Sequence, residues 1–263
     1  GTTPVSVPGT VADTSNPVGL ALDIRAGATV LTDPGNHMLQ STSAARPLMS
    51  ARVNLLTYTE DFSNGGWIPV EVTVTSNATT APTGISTADL AVPTVVSDNH
   101  RVRQNSTTAV AGAAACSFYV KAAGYSKVCI REDQSTGALA AFDLSSGGSV
   151  ISTSGSEVSN PTIVSVGGDW YRITATFSGV NQIRVAVCVL PPSYTSGSAP
   201  SWSADGVSGV YIWGAQLEYG TTATPYQSVP GDGSTYATDF PIFQKYDGVD
   251  DGMATAAFAA GTL

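Results

Sequence analysis

Between residues 53 and 228 the sequence is a succession of short apolar runs, each separated from the next by a turn. The run at 70–75 alternates strictly between apolar and polar residues, which is the period of a half-buried strand. Glycine pairs such as Gly147-Gly148 and Gly167-Gly168 bound later runs. The further runs are 116–121, 127–132, 138–144, 149–153, 170–177, 182–189 and 207–217. Many short strands at this spacing predict an all-β fold, a jelly-roll β-sandwich.

Composition agrees with this fold and excludes some functions. Only 12% of the residues are charged, so helix-forming Glu and Lys are scarce. The formal net charge is −9, and a nucleic-acid surface needs clustered Lys and Arg, so no nucleic-acid partner is predicted. No run of about 18 apolar residues is present, so no membrane insertion is predicted.

The chain divides into three predicted parts. Residues 1–52 are rich in proline and turn signals and predict an extended attachment or oligomerisation connector with no core of its own. Residues 53–228 form the predicted jelly roll. Residues 229–263 begin with a glycine and serine linker, followed by the first strand or strands of a second β module.

Three cysteines lie within apolar strand patterns, at Cys116, Cys129 and Cys188. Their burial predicts free thiols in a chain assembled in a reducing compartment. A disulfide between Cys129 and Cys188 is the alternative.

No set of catalytic residues is apparent, so we predict no enzymatic activity and no cofactor. The two histidines, His37 and His100, lie in a connector and a loop and are expected at the surface. Acidic residues occur as adjacent pairs, at 60–61, 132–133 and 250–251. Neighbours on a strand point to opposite faces, so such pairs do not build the facing carboxylates of a glycosidase, and solvated turn acids are expected instead. A calcium site formed by Glu60, Asp61 and Glu218 is a minor alternative to no metal.

The arginines provide one candidate ligand site. Strand alternation puts Arg131 on the same face as Cys129, and Arg184 on the same face as Cys188. If these faces coincide, one sheet presents a row of arginines that can bind sugar hydroxyls, carboxylated sugars or acidic side chains. An Arg–Asp/Glu lattice between subunits or a solvated sheet face is the alternative.

The aromatic residues provide a second candidate. Trp67, Trp170 and Trp213 lie in strand-like motifs and are expected in the core. Tyr194 and Trp202 lie in an aperiodic loop, where an exposed ring is a natural platform for stacking on a sugar.

Two segments bracket the predicted jelly roll and carry a family resemblance. They are Asn54-Leu-Leu-Thr-Tyr-Thr-Glu-Asp-Phe-Ser and Val210-Tyr-Ile-Trp-Gly-Ala-Gln-Leu-Glu. Together with the motifs at 117–124 and 168–174, they resemble the carbohydrate-binding-module-like jelly roll of phage fibre and prophage virion proteins. The segment at 240–251 resembles the opening strand of a concanavalin-like, laminin-G-type domain.

The resemblance implies a non-enzymatic structural protein of a phage virion, a head or tail fibre or a decoration subunit. It implies other virion proteins as partners, a homotrimer by analogy with fibres, exposure on the particle after assembly in the host cytoplasm, and contact with cell-surface glycans in host adhesion. A secreted bacterial carbohydrate-binding module is the alternative, and a hydrolase fragment is a weaker one.

Overall fold

A computed structural model describes residues 54–106, 112–179 and 183–229, together with four short strands outside these ranges. The strands, numbered in chain order, are β1 (Met38–Leu39), β2 (Leu48–Ala51), β3 (Ile68–Val70), β4 (Val72–Thr79), β5 (Ala88–Pro93), β6 (Arg101–Asn105), β7 (Ala113–Ala123), β8 (Lys127–Glu132), β9 (Leu139–Asp143), β10 (Ser149–Ser154), β11 (Val158–Gly167), β12 (Trp170–Ser178), β13 (Arg184–Val189), β14 (Gly209–Tyr219), β15 (Ile242–Lys245) and β16 (Ala254–Thr255). The part of the chain that the structure describes contains strands and turns and no helix, so none of it forms a helix that could span a membrane.

The chain separates into two units. The larger unit is Arg52–Phe240, and the smaller unit combines Gly1–Ala51 with Pro241–Leu263. In the smaller unit β2 pairs antiparallel with β15, and β1 pairs antiparallel with β16. Within the segment at 240–251 the structure describes one strand, β15, and the concanavalin-like identity of that segment stays a prediction. The rest of the predicted connector, including His37, and the rest of the C-terminal extension lie outside the described residues, and their proposed roles stay predictions.

Two six-stranded antiparallel sheets build the larger unit. The front sheet has the order β10-β9-β8-β13-β6-β3, and the back sheet has the order β11-β12-β7-β14-β5-β4. One cluster of buried apolar residues draws on both sheets, with Val128 and Ile130 from β8 and Phe118 and Val120 from β7. Alternation along each strand sends these side chains to the interior and their neighbours outward. The predicted jelly-roll β-sandwich is confirmed.

The strand predictions from alternation were largely correct. The run at 127–132 coincides with β8, and the run at 170–177 is β12 without its last residue. The predicted burial of Trp67, Trp170 and Trp213 is confirmed. Alternation alone located these elements because both sheets bury one face.

The predicted single strand at 70–75 is wrong. Glu71 has a φ of +50°, which turns the chain between two sheets, so Ile68–Val70 pairs in the front sheet and Val72–Thr79 in the back sheet. The Glu71 carbonyl accepts the N–H of Thr94 at 2.9 Å, and its carboxylate accepts the Thr94 hydroxyl at 2.6 Å. Contacts with Thr94, 23 residues away in sequence, therefore hold a left-handed residue inside an alternating pattern that did not predict it.

Candidate ligand-binding face

The outer face of the front sheet carries the arginines that the sequence placed there. β8 and β13 pair so that Cys129 lies opposite Cys188, and Arg131 lies opposite Ala186. On the other side of β13, Ala186 lies opposite Arg103 of β6. The predicted coincidence of the two faces is therefore confirmed, and β6 adds arginines that the sequence alone did not assign to this face.

Four guanidinium groups surround the carboxylate of Asp133. Arg101 Nε lies 3.0 Å from Asp133 Oδ1, and Arg103 Nη1 donates to Oδ2 at 2.8 Å. The Nε atoms of Arg131 and Arg184 are each 3.6 Å from a carboxylate oxygen. The Asp133 side chain is only 2% exposed. These five residues are called the arginine cluster below.

The four arginines are unequally satisfied by hydrogen bonds. Arg101 also donates to the carbonyl of Asn99 at 2.9 Å, and Arg184 donates to the carbonyl of Asp133 from both Nε and Nη2. By contrast, the buried Nε atoms of Arg103 and Arg131 have no hydrogen-bond partner among the residues that the structure describes. A guanidinium has five N–H donors, and Arg103 and Arg131 use fewer of theirs than Arg101 and Arg184 do, although both Nε atoms are buried and Arg131 Nε lies 3.6 Å from Asp133.

The neighbouring acid does not cancel this positive charge. Glu132 is fully buried, and its carboxylate accepts the backbone N–H groups of Gln134, Ser135 and Thr136 at 2.8–3.0 Å. Burial acts to raise the pKa of Glu132, but these hydrogen bonds outweigh it and lower the pKa below its ordinary value. Even with Glu132 counted, four positive charges face two negative ones. The expectation that 132–133 is a solvated pair is wrong, because both side chains are buried by specific donors.

The loop before Trp202 folds back onto the front sheet instead of presenting a platform. Tyr194 is 5% exposed and packs on the outer-face cysteines Cys129 and Cys188. Its hydroxyl donates to the carbonyl of Gly197 at 2.6 Å, and its own carbonyl accepts from Lys127 Nζ at 2.7 Å. The stacking role predicted for Tyr194 is wrong, because its ring covers an apolar patch of the sheet.

Trp202 is half-buried at one end of the sandwich. Its ring meets His100 and Tyr125 edge-on, with ring centroids 5.0 and 5.1 Å apart. His100 Nδ1 lies 2.7 Å from the Glu71 carbonyl oxygen, and Nε2 lies 2.8 Å from that of Trp202. His100 is only 1% exposed, so its predicted surface position is wrong. The stacking role of Trp202 stays a prediction.

The three cysteines are buried and free, as predicted. Cys129 and Cys188 are cross-strand neighbours, which explains why the sequence also suggested a disulfide between them. Burial raises the pKa of the Cys116 thiol, and burial followed by contact with Cys188 raises that of Cys129. Thiols in this state are poor nucleophiles.

The calcium alternative finds no support in the side chains proposed for it. Glu218 accepts from the hydroxyl of Thr224 at 2.7 Å, and Asp61 accepts from that of Ser63 at 2.7 Å. Within the described ranges, no group of three or more His, Cys, Asp and Glu side chains could hold a metal ion.

The outer face of the back sheet is partly covered by the segment that follows β14. Tyr226 packs on Trp213, with ring centroids 4.7 Å apart, and Arg172 donates to the carbonyl of Thr224 at 2.6 Å. Beside this segment lies a recess of about 260 Å³. Its lining is uncharged: Ala115, Asn160, Thr162, Thr174, Ala175, Thr176, Thr221, Thr222 and Ala223. The sequence did not predict this recess, because distant segments form it.

Comparison with known proteins gives structural similarity only. The chain matches no protein-family model and no curated protein sequence. Similar solved structures include the enzymatically active domain of tailspike protein 4 of bacteriophage CBA120 (15% identity, TM-score 0.37), the CBM22-1 xylan-binding domain of Paenibacillus barcinonensis Xyn10C (13%, 0.35), and TmCBM27, a carbohydrate-binding module that recognises mannan (11%, 0.30).

The extent of these matches differs. They cover 63%, 67% and 67% of this chain, and 21%, 100% and 100% of the tailspike, xylan-binding and mannan-binding structures, respectively. Because identities and TM-scores are low, the function has to be argued from the arginine cluster and not from these proteins.

Proposed function

We propose that this chain is a non-enzymatic structural protein of a phage particle whose jelly roll binds a cell-surface glycan through the outer face of the front sheet. One observation carries the binding role. The arginine cluster gathers four guanidinium groups around one buried carboxylate, and the Arg103 and Arg131 side chains in it remain 22% and 24% exposed. A planar guanidinium binds carboxylates or adjacent hydroxyls through two parallel hydrogen bonds, and sugars present both groups.

The acids of this face support binding without catalysis. Glycoside hydrolysis needs one carboxyl group that is free to give a proton and a second that faces it. Asp133 lies among four arginines, and Glu132 accepts from three backbone N–H groups of a turn. Both carboxylates are committed to internal donors, so this face is suited to retaining a ligand unchanged.

The particle role rests on the opening and closing segments of the jelly roll. Leu55 N–H donates to the carbonyl of Leu217 at 2.7 Å, and Ala215 N–H donates to that of Thr59 at 2.9 Å. The two resembling segments thus meet in one place, which supports reading them as a single module. Partnership with other virion proteins, a homotrimeric state and a position on the virion surface belong to this proposal. A secreted bacterial carbohydrate-binding module is the alternative for the same binding face.

Two measurements test the proposal. The full chain should bind at least one glycan on an array of bacterial surface polysaccharides, and incubation with that glycan should release no product. Gold-labelled antibody against the chain should decorate intact phage particles. Retention of no glycan would overturn the binding role, whereas glycan binding with unlabelled particles would favour the secreted module.

A further inference from the structure

Arg103 and Arg131 form a pair with a fixed spacing. They lie in one cross-strand row, with Ala186 between them on the intervening strand. Two strand spacings separate their backbones by about 10 Å. Ala186 contributes only a methyl group between the two side chains, and the Asp133 carboxylate lies within 3.6 Å of both guanidinium groups.

The pair is held in place by its surroundings. Arg103 Nη1 is anchored by Asp133 at 2.8 Å, and Arg131 Nε approaches the same carboxylate at 3.6 Å. The side chains are 22% and 24% exposed while both Nε atoms are buried, so solvent reaches only the other atoms of each side chain. A side chain fixed in this way loses little conformational entropy when it binds a ligand.

The charge of the cluster is unbalanced. Asp133 is the one acidic side chain within 4.0 Å of these arginines among the described residues. The whole chain carries a net charge of −9, and yet four of its 11 Lys and Arg residues converge here. A partly desolvated site with excess positive charge gains more from an anion than from a neutral hydroxyl, because charge-assisted hydrogen bonds are about twice as strong.

We infer that the Arg103–Arg131 pair is a subsite for a sugar carboxylate, so that the glycan bound by this face is an acidic, uronate-type polysaccharide. This inference rests on the proposed glycan binding and names its ligand class. The sugar carboxylate accepts hydrogen bonds from terminal Nη–H groups of both guanidinium groups, because the Nε atoms are buried. Asp133 positions the two arginines from beneath.

A matched pair of ligands tests the charge requirement. Tri-galacturonic acid and its methyl ester share the same sugar rings and differ in the charge of the carboxyl groups. We expect the intact chain to bind the acid at least tenfold more tightly than the ester in calorimetry at low salt. Binding of the acid should weaken as salt is raised, because ions screen the attraction.

Matched variants test the residues. Arg131→Gln and Arg103→Gln should each weaken binding of the acid between about tenfold and a hundredfold, the range for hydrogen bonds to charged groups. Lys121→Gln removes the same charge from the back sheet, where Lys121 donates to the Gly168 carbonyl, and should leave binding unchanged. Thermal unfolding of each variant checks that the fold is retained. If Arg103→Gln does not fold, Arg131→Gln decides the test, because no hydrogen bond of its guanidinium to a described residue is lost.

The outcomes separate the two proposals. Equal affinity for the acid and the ester would overturn the carboxylate subsite and leave glycan binding intact. If the chain binds neither the acid nor the ester, and also binds no glycan on the array, the proposed function itself is overturned. Tighter binding of poly-glutamate than of the trisaccharide would overturn the assignment to a glycan and identify an acidic protein surface as the partner.

Discussion

Asn54 Oδ1 accepts a hydrogen bond from the backbone N–H of Leu217 at 3.1 Å, and so the start of the jelly roll is fastened to its last strand. The same carboxamide donates from Nδ2 to the carbonyl of Ala215 at 2.9 Å. These contacts lie where the pairing of β14 with β7 shifts register between Trp213 and Gln216. The Asn54 side chain, 161 residues away in sequence from Ala215, thus forms hydrogen bonds with the Ala215 carbonyl and the Leu217 N–H, which lie at the irregular part of β14.

Asn54→Ala should destabilise the fold by about 2–4 kcal/mol, because it leaves buried backbone groups of β14 without partners. Urea denaturation followed by tryptophan fluorescence measures this change. Asn64→Ala provides the control, since the Asn64 side chain accepts one N–H, that of Gly66, within a turn. Similar losses for both variants would contradict the role assigned to Asn54.

Asp133→Asn should destabilise the protein by about 3 kcal/mol, because it leaves four guanidinium groups without their shared carboxylate. Addition of sulfate should recover part of the loss by supplying an anion to the cluster, and chloride at matched ionic strength should recover less. The unfolding midpoint in the two salts is the measurement. A neutral effect would mean that the arginines are already well solvated.

Glu132 should contribute to acid sensitivity. Its pKa in the folded chain is lowered from the ordinary 4.5, so its stabilisation is complete above that pH and is lost as the pH falls through the folded value. Glu132→Gln should lower the free energy of unfolding by about 2 kcal/mol at pH 7. The stability of this variant should also fall less steeply than that of the parent chain as the pH becomes acidic. Urea midpoints across the acidic range test it, with Glu157→Gln as a control of equal charge change. If the urea midpoint of Glu132→Gln falls at acidic pH as steeply as that of the parent chain, Glu132 is not the source of the acid sensitivity.

The thiols should be unreactive in the native protein. Burial raises the pKa of both Cys116 and Cys129, so the thiolate is scarce at pH 8 and shielded from reagents. We expect Ellman's reagent to detect no fast-reacting thiol before denaturation and all three cysteines in guanidinium chloride. A fast native reaction would show that one of the two sheets opens locally.

Trp202→Ala should lower stability by about 2 kcal/mol, because the ring packs against His100 and Tyr125. Glycan affinity should be unchanged if the arginine cluster is the site. Tyr219→Ala removes an exposed aromatic ring and serves as the comparison for stability. The opposite result, lost affinity with intact stability, would establish Trp202 as the sugar platform.

Alternation along the chain located most of the strands that bury one face, such as β8 and β12, because side chains on a strand alternate with a period of two residues. It placed Arg131 with Cys129 and Arg184 with Cys188, but the predicted runs did not include β5 or β6. It did not predict β11, whose side chains are mostly exposed and carry little apolar periodicity.

Only the tertiary structure decided what these residues contact. Three features depend on segments far apart in sequence. They are the left-handed turn at Glu71, the packing of Tyr194 over the outer face of the front sheet, and the convergence of four arginines on Asp133. A sequence pattern records which way a side chain points, but not which strand becomes its neighbour. The sequence by itself therefore predicted a β-sandwich, and the pairing of β6, β13 and β8 determined that four arginines meet at Asp133.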